Sequence, residues 1–315
     1  MSKLRGEQAL TGHKALIREE ALRQGFLHCG FARAEPPEEI RGFYSGYLEK
    51  NRQLSLSYLQ SNFEKRMDPS LVLPGVKSII SLTLGYSAQP PAPEKDSFVI
   101  AKYARGADYH EIMKKKMDRF ISWLKAEFGR ARIKRFVDSG AVPEKFWAMR
   151  SGAGWQGKNT LIIHKEAGSF FFIGILLTDL ELEADSPATD HCGHCTECIK
   201  ACPTGALNTP YQLDMSRCIS YHTIENKNAI PEDIIRHLGN RIYGCDLCQD
   251  VCPYNRAPKP TIIPEFLPSP DLMNMGKTEW LNLSEKQFDR LFGHSPVKRI
   301  GYDRLMRNIK AAAHE

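Results

Sequence analysis

Hydrophobic and polar positions along the first 180 residues alternate in the manner of a mixed helix and sheet protein. Apolar residues recur at helical spacing over 7–29 and over 109–128, and each pattern predicts an amphipathic helix. Shorter apolar runs rich in branched residues predict strands. These strands are Val76–Tyr86, Phe98–Tyr103 and Ile133–Val137, with a proline-rich loop over 88–96 between the first two and a short helix at Pro143–Arg150 after the third.

The middle of the chain carries a hairpin signal and then a domain boundary. Two apolar runs, Leu161–His164 and Ser169–Leu177, are separated by Lys-Glu-Ala-Gly and predict a β-hairpin. The polar stretch 181–190 predicts a boundary, and two helices are expected in the tail, over 284–292 and 303–313. We therefore expect an α+β protein with segments 1–185, 186–260 and 261–315, the last packing on the other two.

Cysteine is the residue type that changes this picture. The chain has 315 residues and nine cysteines, eight of which lie between Cys192 and Cys252. The start of the chain is polar, without the apolar core of a secretory signal, and the longest apolar run, 170–177, is too short to span a bilayer. We therefore expect a cytoplasmic protein with no membrane contact, whose reduced thiols bind metal instead of forming disulfides.

The spacing of the eight cysteines predicts two 4Fe–4S clusters. The first run follows C-x2-C-x2-C-x3-C-P, the bacterial ferredoxin pattern, in which the fourth cysteine binds the other cluster. The second run repeats its last three cysteines and the proline, and Cys218 upstream supplies the missing ligand. This logic assigns one cluster to Cys192, Cys195, Cys198 and Cys252, and the other to Cys202, Cys218, Cys245 and Cys248.

The alternative for these cysteines is a pair of zinc sites with four thiolates each. Zinc ligands are usually two separated C-x2-C pairs, and zinc does not require a doubled run that ends in Cys-Pro, so the clusters are favoured. His191 and His194 flank the first run and are expected beside the cluster or at the surface, because the thiolate count is complete. The ninth cysteine, Cys29, is expected to be a small buried residue.

A glycine-rich stretch and one aspartate are the other candidates for chemistry. Gly152-Ala-Gly-Trp-Gln-Gly fits the G-x-G-x-x-G pattern of nucleotide sites. That pattern needs a strand before it and a helix after it, and the order here is reversed, so we exclude NAD and ATP. The loop then either lets a bulky ligand approach the backbone or is a structural turn. Asp138 follows a strand and enters a glycine turn, where it is either a helix cap or a general acid, and the pattern alone favours the cap.

Taken together, these motifs resemble those of the epoxyqueuosine reductases, over residues from about 10 to about 312. The resemblance rests on the doubled cysteine run and on Arg66-Met-Asp-Pro, Val137-Asp-Ser, Gly152-Ala-Gly-Trp and Arg241-Ile-Tyr-Gly-Cys-Asp. It implies a nitroreductase-like cobalamin-binding α/β domain followed by a bacterial ferredoxin-like domain with two clusters. The implied activity is reduction of epoxyqueuosine to queuosine at the wobble position of tRNA, by cob(I)alamin that receives electrons from the clusters.

The resemblance also implies roles for particular residues. Asp138 matches the proton donor of the family, so the resemblance favours a role as general acid over a role as helix cap. No Asp-x-His-x-x-Gly motif is present, and His110 is taken as a structural or surface residue, so cobalamin is expected without a histidine ligand below the cobalt. The implied cobalamin contacts are Arg66, Ala101, Asp138, Asn159, Ile162, Ser169, Ser220 and Asp246.

The implied partners are a tRNA and a low-potential electron donor that the sequence does not identify. The net charge of +6 permits a polyanionic partner, and basic residues concentrate over 114–135 and over 298–310. Each stretch is either a phosphate contact or a solvated helix face. Many members of the family carry a helical-repeat tail that this chain lacks, so tRNA contacts of that tail are not expected here. The oligomeric state is open, with a monomer as the working expectation.

Two other functions compete with this one. A reductive dehalogenase-like cobalamin enzyme would act on a small molecule, and the basic stretches and the absence of an export signal count against it. A ferredoxin-type electron-transfer protein would need no proton donor, and the context of Asp138 and of the glycine loop counts against it.

Overall fold

The computed structural model describes residues 2–54, 61–87, 97–138 and 140–313, so the proline-rich loop expected over 88–96 lies outside the described residues. Helices and strands alternate through the first 180 residues, as the hydrophobic pattern predicts. In chain order they are α1 Ser2–Arg23, β1 His28–Arg33, α2 Glu38–Lys50, α3 Phe63–Met67, β2 Ser78–Gly85, β3 Val99–Ile100, α4 Tyr109–Phe128, β4 Ile133–Phe136, α5 Glu144–Arg150, β5 Trp155–Gln156, β6 Ile162–Ile163 and β7 Phe171–Thr178.

The rest of the described chain is built mainly from short helices. The cysteine segment and the tail contain α6 Glu197–Lys200, α7 Ile219–Ile224, α8 Glu232–Leu238, β8 Arg241–Tyr243, α9 Leu247–Asp250, α10 Pro270–Met273, α11 Lys277–Leu281, α12 Glu285–Phe292 and α13 Tyr302–Ala313. Among the described residues, no helix is long and apolar enough to cross a membrane.

An antiparallel sheet of order β1-β2-β7-β4 is the centre of the first half. Because side chains alternate across a strand, β2 sends Ile80 and Leu82 to one face and Ile79 to the other. Helices α1 and α4 cover the first face, where Met113 and Met117 are fully buried. Helix α5 covers the second face with Trp147. The sheet therefore lies between two layers of helix.

A second hydrophobic core joins early and late parts of the chain. Strand β3 pairs in parallel with β8, so a segment of the first half lies beside the second cysteine run. Phe98 and Ile100 pack in one cluster with Ile242 and with the tail residues Trp280 and Phe292. The tail therefore packs on the cysteine segment and on β3 through a shared core.

Several predicted elements are confirmed, and two end earlier than the hydrophobic pattern indicates. The helix Tyr109–Phe128 and the strand within 76–86 are present. The helix predicted over 7–29 ends at Arg23, because Gly25 adopts a positive φ of 87° that stops it, and Cys29 lies buried in β1. The strand predicted over 98–103 contains only β3, and a 3-10 turn follows at Lys102–Ala104.

The predicted hairpin between residues 161 and 177 is wrong. The two runs meet only in an isolated bridge between His164 and Gly168. Beyond it they diverge, since β6 pairs with β5 while β7 pairs with β2 and β4. Seven of the eight residues of β7 are buried, so this strand needs a partner on each side, and the two-residue β6 cannot provide that.

Candidate functional site

Four of the cysteines form one group, because they lie close enough to affect one another's pKa. Burial raises the pKa of Cys198, and the thiolates of Cys192, Cys252 and Cys195 add to the shift. Burial likewise raises the pKa of Cys252, and Cys192 and Cys195 contribute again. Cys252 comes from the second run, so this group contains residues of both runs, and its assignment to one cluster stays a prediction.

The remaining four cysteines form a second group beside the first. Besides burial, Cys202 raises the pKa of Cys218, and Cys218 raises that of Cys245. Burial, and then Cys245 and Cys218, raise the pKa of Cys248. Cys198 of the first group raises it further. Within the described chain, no three Cys, His, Asp or Glu side chains converge as ligands of a single ion. A 4Fe–4S cluster is larger than a single ion, so its four thiolates lie further apart than the ligands of one ion. The division of the cysteines into two groups of four is therefore the observation that bears on the clusters.

The glycine-rich loop holds the cysteine segment in place. Lys158 donates from Nζ to the carbonyl oxygens of Gly193 (2.6 Å) and Cys195 (2.9 Å). Trp155 donates from Nε1 to Sγ of Cys192 at 3.4 Å. A Cβ on Gly154 would lie 2.3 Å from the carbonyl oxygen of Ile163, so the close approach of β5 to β6 requires glycine here. Trp155 and Lys158 thus join the loop to the first cysteine group.

The two groups differ in their exposure to solvent. Cys195 is exposed, and the turn around it, with His191 and His194, lies at the surface. Cys248 is partly buried, and its backbone carbonyl accepts a hydrogen bond from Asn159 at 3.2 Å. The first group is therefore the one that faces solvent.

Asp138 lies directly after β4 in a strained and well-defined conformation. Its φ of 54° is left-handed, which is uncommon outside glycine. Its backbone N–H donates to Oε1 of Glu144 at 2.7 Å, and its carboxylate accepts from the hydroxyl of Tyr109 at 2.5 Å. The side chain is 67% exposed, so the carboxylate is both held by the protein and open to a ligand.

The start of α4 supplies a second layer around this carboxylate. Nε2 of His110 lies 3.9 Å from Oδ2 of Asp138, and Nδ1 of His110 lies 2.7 Å from Oδ1 of Asp108. The Tyr109 ring stacks on His110 (4.0 Å) and on Phe172 (4.1 Å). Local sequence patterns do not predict this arrangement, because the contact joins the beginning of α4 to the end of the next strand, 28 residues further along the chain.

Lys145 links Asp138 electrostatically to the second cysteine group, and we call the surroundings of its side chain the Lys145 site. Lys145 of α5 is exposed, yet surrounding protein lowers its pKa by desolvation, which Asp138, Cys248 and Cys218 oppose. One ammonium group is therefore close enough to the carboxylate and to two cysteines for their charges to affect its pKa. Desolvation and the nearby Asp138 raise the pKa of Glu144 well above its usual range.

Arg66 and two tyrosines of α2 are neighbours of this site. Arg66 lies in α3, half-buried, and its charge lowers the pKa of Tyr44 and of Glu144 against the effect of burial. Tyr47 lies one turn further along α2, where burial and then Cys218 raise its pKa to about 12. Helix α2 thus contributes one tyrosine near Arg66 and one near Cys218 of the second cysteine group.

Ala101 and Asp246 lie together beside a ligand of the second group. Both line a cavity of about 100 Å³ that also contacts Cys245. Oδ2 of Asp246 accepts from the backbone N–H of Lys102 at 2.7 Å, and burial raises the pKa of this carboxyl. The two residues come from β3–α4 and from the second cysteine run, which the parallel pairing of β3 with β8 brings together.

The other residues singled out from the sequence have different surroundings. Ser169 is buried, and its hydroxyl accepts from Gln249 (3.1 Å) and Asn255 (2.9 Å). Asn159 and Ile162 are also buried, the latter in β6. Ser220 is half-buried at the start of α7, and its backbone N–H donates to the thiolate of Cys218. Arg66, Asp138 and Ser220 are thus the accessible members of the set.

Two family models and several curated proteins match this chain. The family model described as epoxyqueuosine reductase QueG, DUF1730, matches residues 66–139, and that of a 4Fe-4S double cluster binding domain matches residues 191–255. An epoxyqueuosine reductase of Cellulophaga algicola is 44% identical over 94% of this chain and 97% of its own length. One of Pseudomonas aeruginosa is 40% identical over 90% of this chain and 80% of its own length.

Solved structures give the same result. A crystal structure of epoxyqueuosine reductase with a tRNA-Tyr epoxyqueuosine-modified stem loop is 33% identical, with a TM-score of 0.85 over 96% of this chain and 81% of that one. The Bacillus subtilis epoxyqueuosine reductase, described with its catalytic Asp loop swung out of the active site, is 32% identical with a TM-score of 0.87 over the same shares.

Proposed function

Since the chain belongs to the epoxyqueuosine reductase family, we propose that it reduces epoxyqueuosine to queuosine at the wobble position of tRNA. The observation that carries this proposal is Lys145, whose pKa responds to Asp138 and also to Cys248 and Cys218. A proton donor and an electron source then lie near one side chain, which is what a reductive deoxygenation requires.

The residues present fit the two kinds of cofactor that the family uses. Two groups of four thiolates, each drawn from both cysteine runs, suit two 4Fe–4S clusters. We place cobalamin at the Lys145 site, because Lys145 is exposed to solvent and lies near both Asp138 and the second cysteine group. When bound there, cobalamin supplies a strongly reducing cobalt centre, and the chain supplies position and protons.

We assign different tasks to the residues expected to contact cobalamin. Arg66, Asp138 and Ser220 would contact the cofactor at the Lys145 site, and Ala101 with Asp246 would contact it beside Cys245. The buried residues Asn159, Ile162 and Ser169 would support the walls, since the side chains of Asn159 and Ser169 hydrogen-bond to the cysteine segment. We keep the expectation that no histidine ligates cobalt from below.

Asp138 would act as the general acid of the reaction. A proton from its carboxyl neutralises the oxygen as the carbon–oxygen bond of the epoxide breaks. The Tyr109 hydroxyl fixes the carboxyl group, and Glu144 fixes the backbone of the same residue. The relative from Bacillus subtilis also has a catalytic aspartate on a loop, which supports this assignment.

For the tRNA backbone we propose the outer face of α4. A groove of about 410 Å³ on this face is lined by four basic side chains and by Glu111 and Asp118. Within the described part of the chain, Lys115 and Arg119 form no ion pair, although like charges four residues apart weaken a helix. The groove also includes Arg135, three residues before Asp138, so phosphates there would lie near the proton donor.

The second basic stretch, 298–310, is largely engaged within the protein. Lys298 pairs with Asp289, and Arg299 pairs with Glu225. Arg304 donates to the carbonyl oxygens of Ile300 and Ile224. Arg307 donates to the carbonyl oxygens of His222, Asn226 and Asn228. These cations fasten the tail to the cysteine segment, so we assign them to structure rather than to tRNA.

Electrons would enter at the solvent-facing cysteine group. Cys195 is exposed, whereas the second group is near both the first group and Lys145, since Cys248 is affected by Cys198 and in turn affects Lys145. A low-potential donor would therefore dock on the turn around Cys195, and electrons would pass through the second cluster toward Asp138. We propose a cytoplasmic location, because the proposed substrate is tRNA, and a monomer suffices for this arrangement.

Anaerobic reconstitution with iron, sulfide and cobalamin tests the proposal. The loaded protein is mixed with a chemical reductant and with tRNA from cells that lack the activity, and nucleosides are analysed by mass spectrometry. We expect conversion of epoxyqueuosine to queuosine. No conversion by a protein that carries both clusters and cobalamin would contradict the proposal. Clusters without cobalamin absorption bands would favour the ferredoxin-type alternative, and turnover of organohalides alone would favour the dehalogenase.

A further inference from the structure

Deoxygenation of an epoxide needs more protons than one carboxyl group holds. Release of the oxygen as water takes up two electrons and two protons, and Asp138 carries one proton at a time. We propose that His110 returns a proton to Asp138 between the two transfers, and that Asp108 holds the imidazole for this task. This inference rests on the proposed function and adds two positioning residues to it.

The geometry supports a chain of three groups. Nδ1 of His110 lies 2.7 Å from Asp108, within hydrogen-bond distance, and Nε2 lies 3.9 Å from the Asp138 carboxylate. The imidazole therefore lies between two carboxylates, and a proton passes to Asp138 only when the 3.9 Å gap shortens or one water bridges it. Imidazole is a common proton-transfer group in proteins, and the His110 side chain is 25% exposed, so it also reaches solvent.

Tyr109 contacts the same carboxylate but does not suit the relay. Burial, and then the charge of Asp138, raise the pKa of its hydroxyl far above the neutral range. A phenol that keeps its proton donates a hydrogen bond and orients the carboxylate. Its ring stacks on His110 at 4.0 Å and thereby also fixes the plane of the imidazole.

Asp108 has two tasks that a single substitution can separate. Its carboxylate accepts the backbone N–H of His110 at 2.9 Å, which caps α4, and it also contacts the His110 ring. Although burial opposes it, these hydrogen bonds hold the pKa of Asp108 below its ordinary value. Asparagine would keep the cap and remove the charge, so Asp108→Asn tests the charge alone.

The proton balance closes with these residues. Two electrons arrive through the clusters, the first carbon–oxygen bond breaks, and protonated Asp138 gives its proton to that oxygen. Protonated His110 then gives a proton from Nε2 to the Asp138 carboxylate and takes another from solvent. As the second carbon–oxygen bond breaks, its oxygen takes the second proton from Asp138 and leaves as water, and the electron pair on carbon forms the double bond.

The relay matters because the substrate blocks the other route. Asp138 is 67% exposed in the free protein, but the epoxide must lie against this carboxyl group during the reaction and exclude bulk water. The charged groups around the imidazole are Asp108, with Lys114 acting on it from the same helix, and Asp138 at the end of β4. The pH dependence of turnover should therefore change when His110 or Asp108 changes.

Steady-state turnover on epoxyqueuosine-containing tRNA tests the relay, with the reconstituted wild type as the reference. We expect His110→Ala and His110→Gln to lower kcat by about 10- to 100-fold while KM for tRNA stays within about twofold. Added imidazole should restore at least about a third of the missing rate in His110→Ala, and more at pH values that protonate it. Asp108→Asn should lower kcat and shift its pH profile.

Matched controls make the result decisive. His237 is an exposed histidine on α8 whose Nδ1 contacts the carbonyl oxygen of Asp233, and His237→Gln should retain wild-type kcat. Cluster absorption and circular dichroism establish that each variant is folded. Wild-type kcat in His110→Ala would overturn the relay, and so would a defect that imidazole does not restore. An inactive wild type would instead overturn the proposed function and the relay with it.

Discussion

Asp138 combines backbone strain with side-chain access. Its left-handed φ of 54° costs free energy in a residue with a side chain, and Tyr109 and Glu144 hold it there through two hydrogen bonds. The carboxylate remains 67% exposed, in contrast to a helix cap, which would be turned onto its own backbone. Conformation, fixation and exposure together suit a residue that transfers a proton to a bound substrate.

Trp155 gives a prediction about the first cluster. Its indole N–H donates to Sγ of Cys192, and hydrogen bonds to the sulfurs of a cluster raise the reduction potential by stabilising the more negative reduced form. We expect Trp155→Phe to lower the potential of one cluster by a few tens of millivolts, since such a bond contributes about 1 kcal/mol. An anaerobic titration followed by electron paramagnetic resonance measures this.

The control for Trp155 is a tryptophan remote from both clusters. Trp123 is half-buried on α4 and packs on Phe120 and Phe128. Trp123→Phe should leave both potentials unchanged. A potential in Trp155→Phe equal to that of the wild type would show that this hydrogen bond does not tune the cluster.

At the scale of single residues, the sequence predicts groups that are close along the chain and misses groups that only the fold unites. Cysteine spacing predicts the crossed ligand groups, because three ligands of each run lie within a short segment. The sequence indicates only a structural or surface role for His110, since nothing in its local pattern points to Asp138, which is 28 residues away. The residues assigned by resemblance remain predictions, among which Asn159 and Ser169 are buried with protein partners.

Helix α4 is the element that unites core, site and surface. Met113, Met117 and Phe120 form its buried face at helical spacing, which is why the pattern predicts its bounds correctly. Its first turn carries Asp108 as the cap and presents Tyr109 to Asp138. Its outer face carries the basic groove. One helix thus relates the proposed tRNA surface to the proton donor within a few turns.

The basic groove predicts a charge-dependent affinity for tRNA. Lys115→Glu combined with Arg119→Glu should raise KM for tRNA about tenfold and leave kcat within about twofold, because phosphate contacts supply affinity and not chemistry. The dependence of binding on salt should also weaken, by about 0.7 in the logarithmic slope for each phosphate that the variant no longer neutralises. Filter binding at several salt concentrations measures both effects.

A matched pair on α12 controls for charge alone. Lys286 and Arg290 are also exposed and four residues apart, on a helix of the tail. Lys286→Glu combined with Arg290→Glu changes the net charge equally and should leave tRNA binding close to that of the wild type. Equally weakened binding in the two double variants would contradict a specific groove on α4.

The strand pairings show where local patterns fail. His164 and Gly168 form one β-bridge, as they would in a hairpin turn. Strand β7, however, pairs with β2 and β4 instead of with β6. Periodicity along the chain reports burial, and it does not report which strand lies alongside. The same limit hides the parallel pair of β3 and β8, whose partners are more than 140 residues apart.

At the scale of the molecule, one hydrophobic core supports the proton donor and another supports the cysteine segment. The sheet core holds Asp138, and the second core holds the cysteine segment and the tail through β3 and β8. Composition and boundaries along the chain predict a cysteine module, but not that residues 98–104 and the tail share its core. That arrangement depends on contacts between distant segments of chain.

Buried neutral histidines predict a loss of stability in acid. Burial, and then the neighbouring His164, lower the pKa of His28 to about 4 from 6.5. Between pH 6.5 and 4 the unfolded chain therefore binds a proton at His28 that the folded chain does not bind. The free energy of unfolding is unaffected by His28 above about pH 6.5 and decreases as pH falls toward 4. The cost is about 3 kcal/mol at most.

Thermal unfolding at pH 7.5 and at pH 5 measures this contribution. His28→Gln removes the titrating group, so its Tm should fall less on acidification than that of the wild type, by at least about 2 °C. His237→Gln, at an exposed site, should fall as much as the wild type. An equal fall in all three proteins would exclude His28 as a source of acid sensitivity.

Asp138→Asn is the decisive variant, because the proposed chemistry depends on this carboxyl group protonating a substrate near the second cluster. Single-turnover conversion of epoxyqueuosine in tRNA is measured after anaerobic loading, together with cluster and cobalamin absorption. We expect normal spectra, tRNA binding within about twofold of the wild type, and a rate at least about 100-fold lower. A rate close to that of the wild type in the loaded variant would show that Asp138 is not the proton donor.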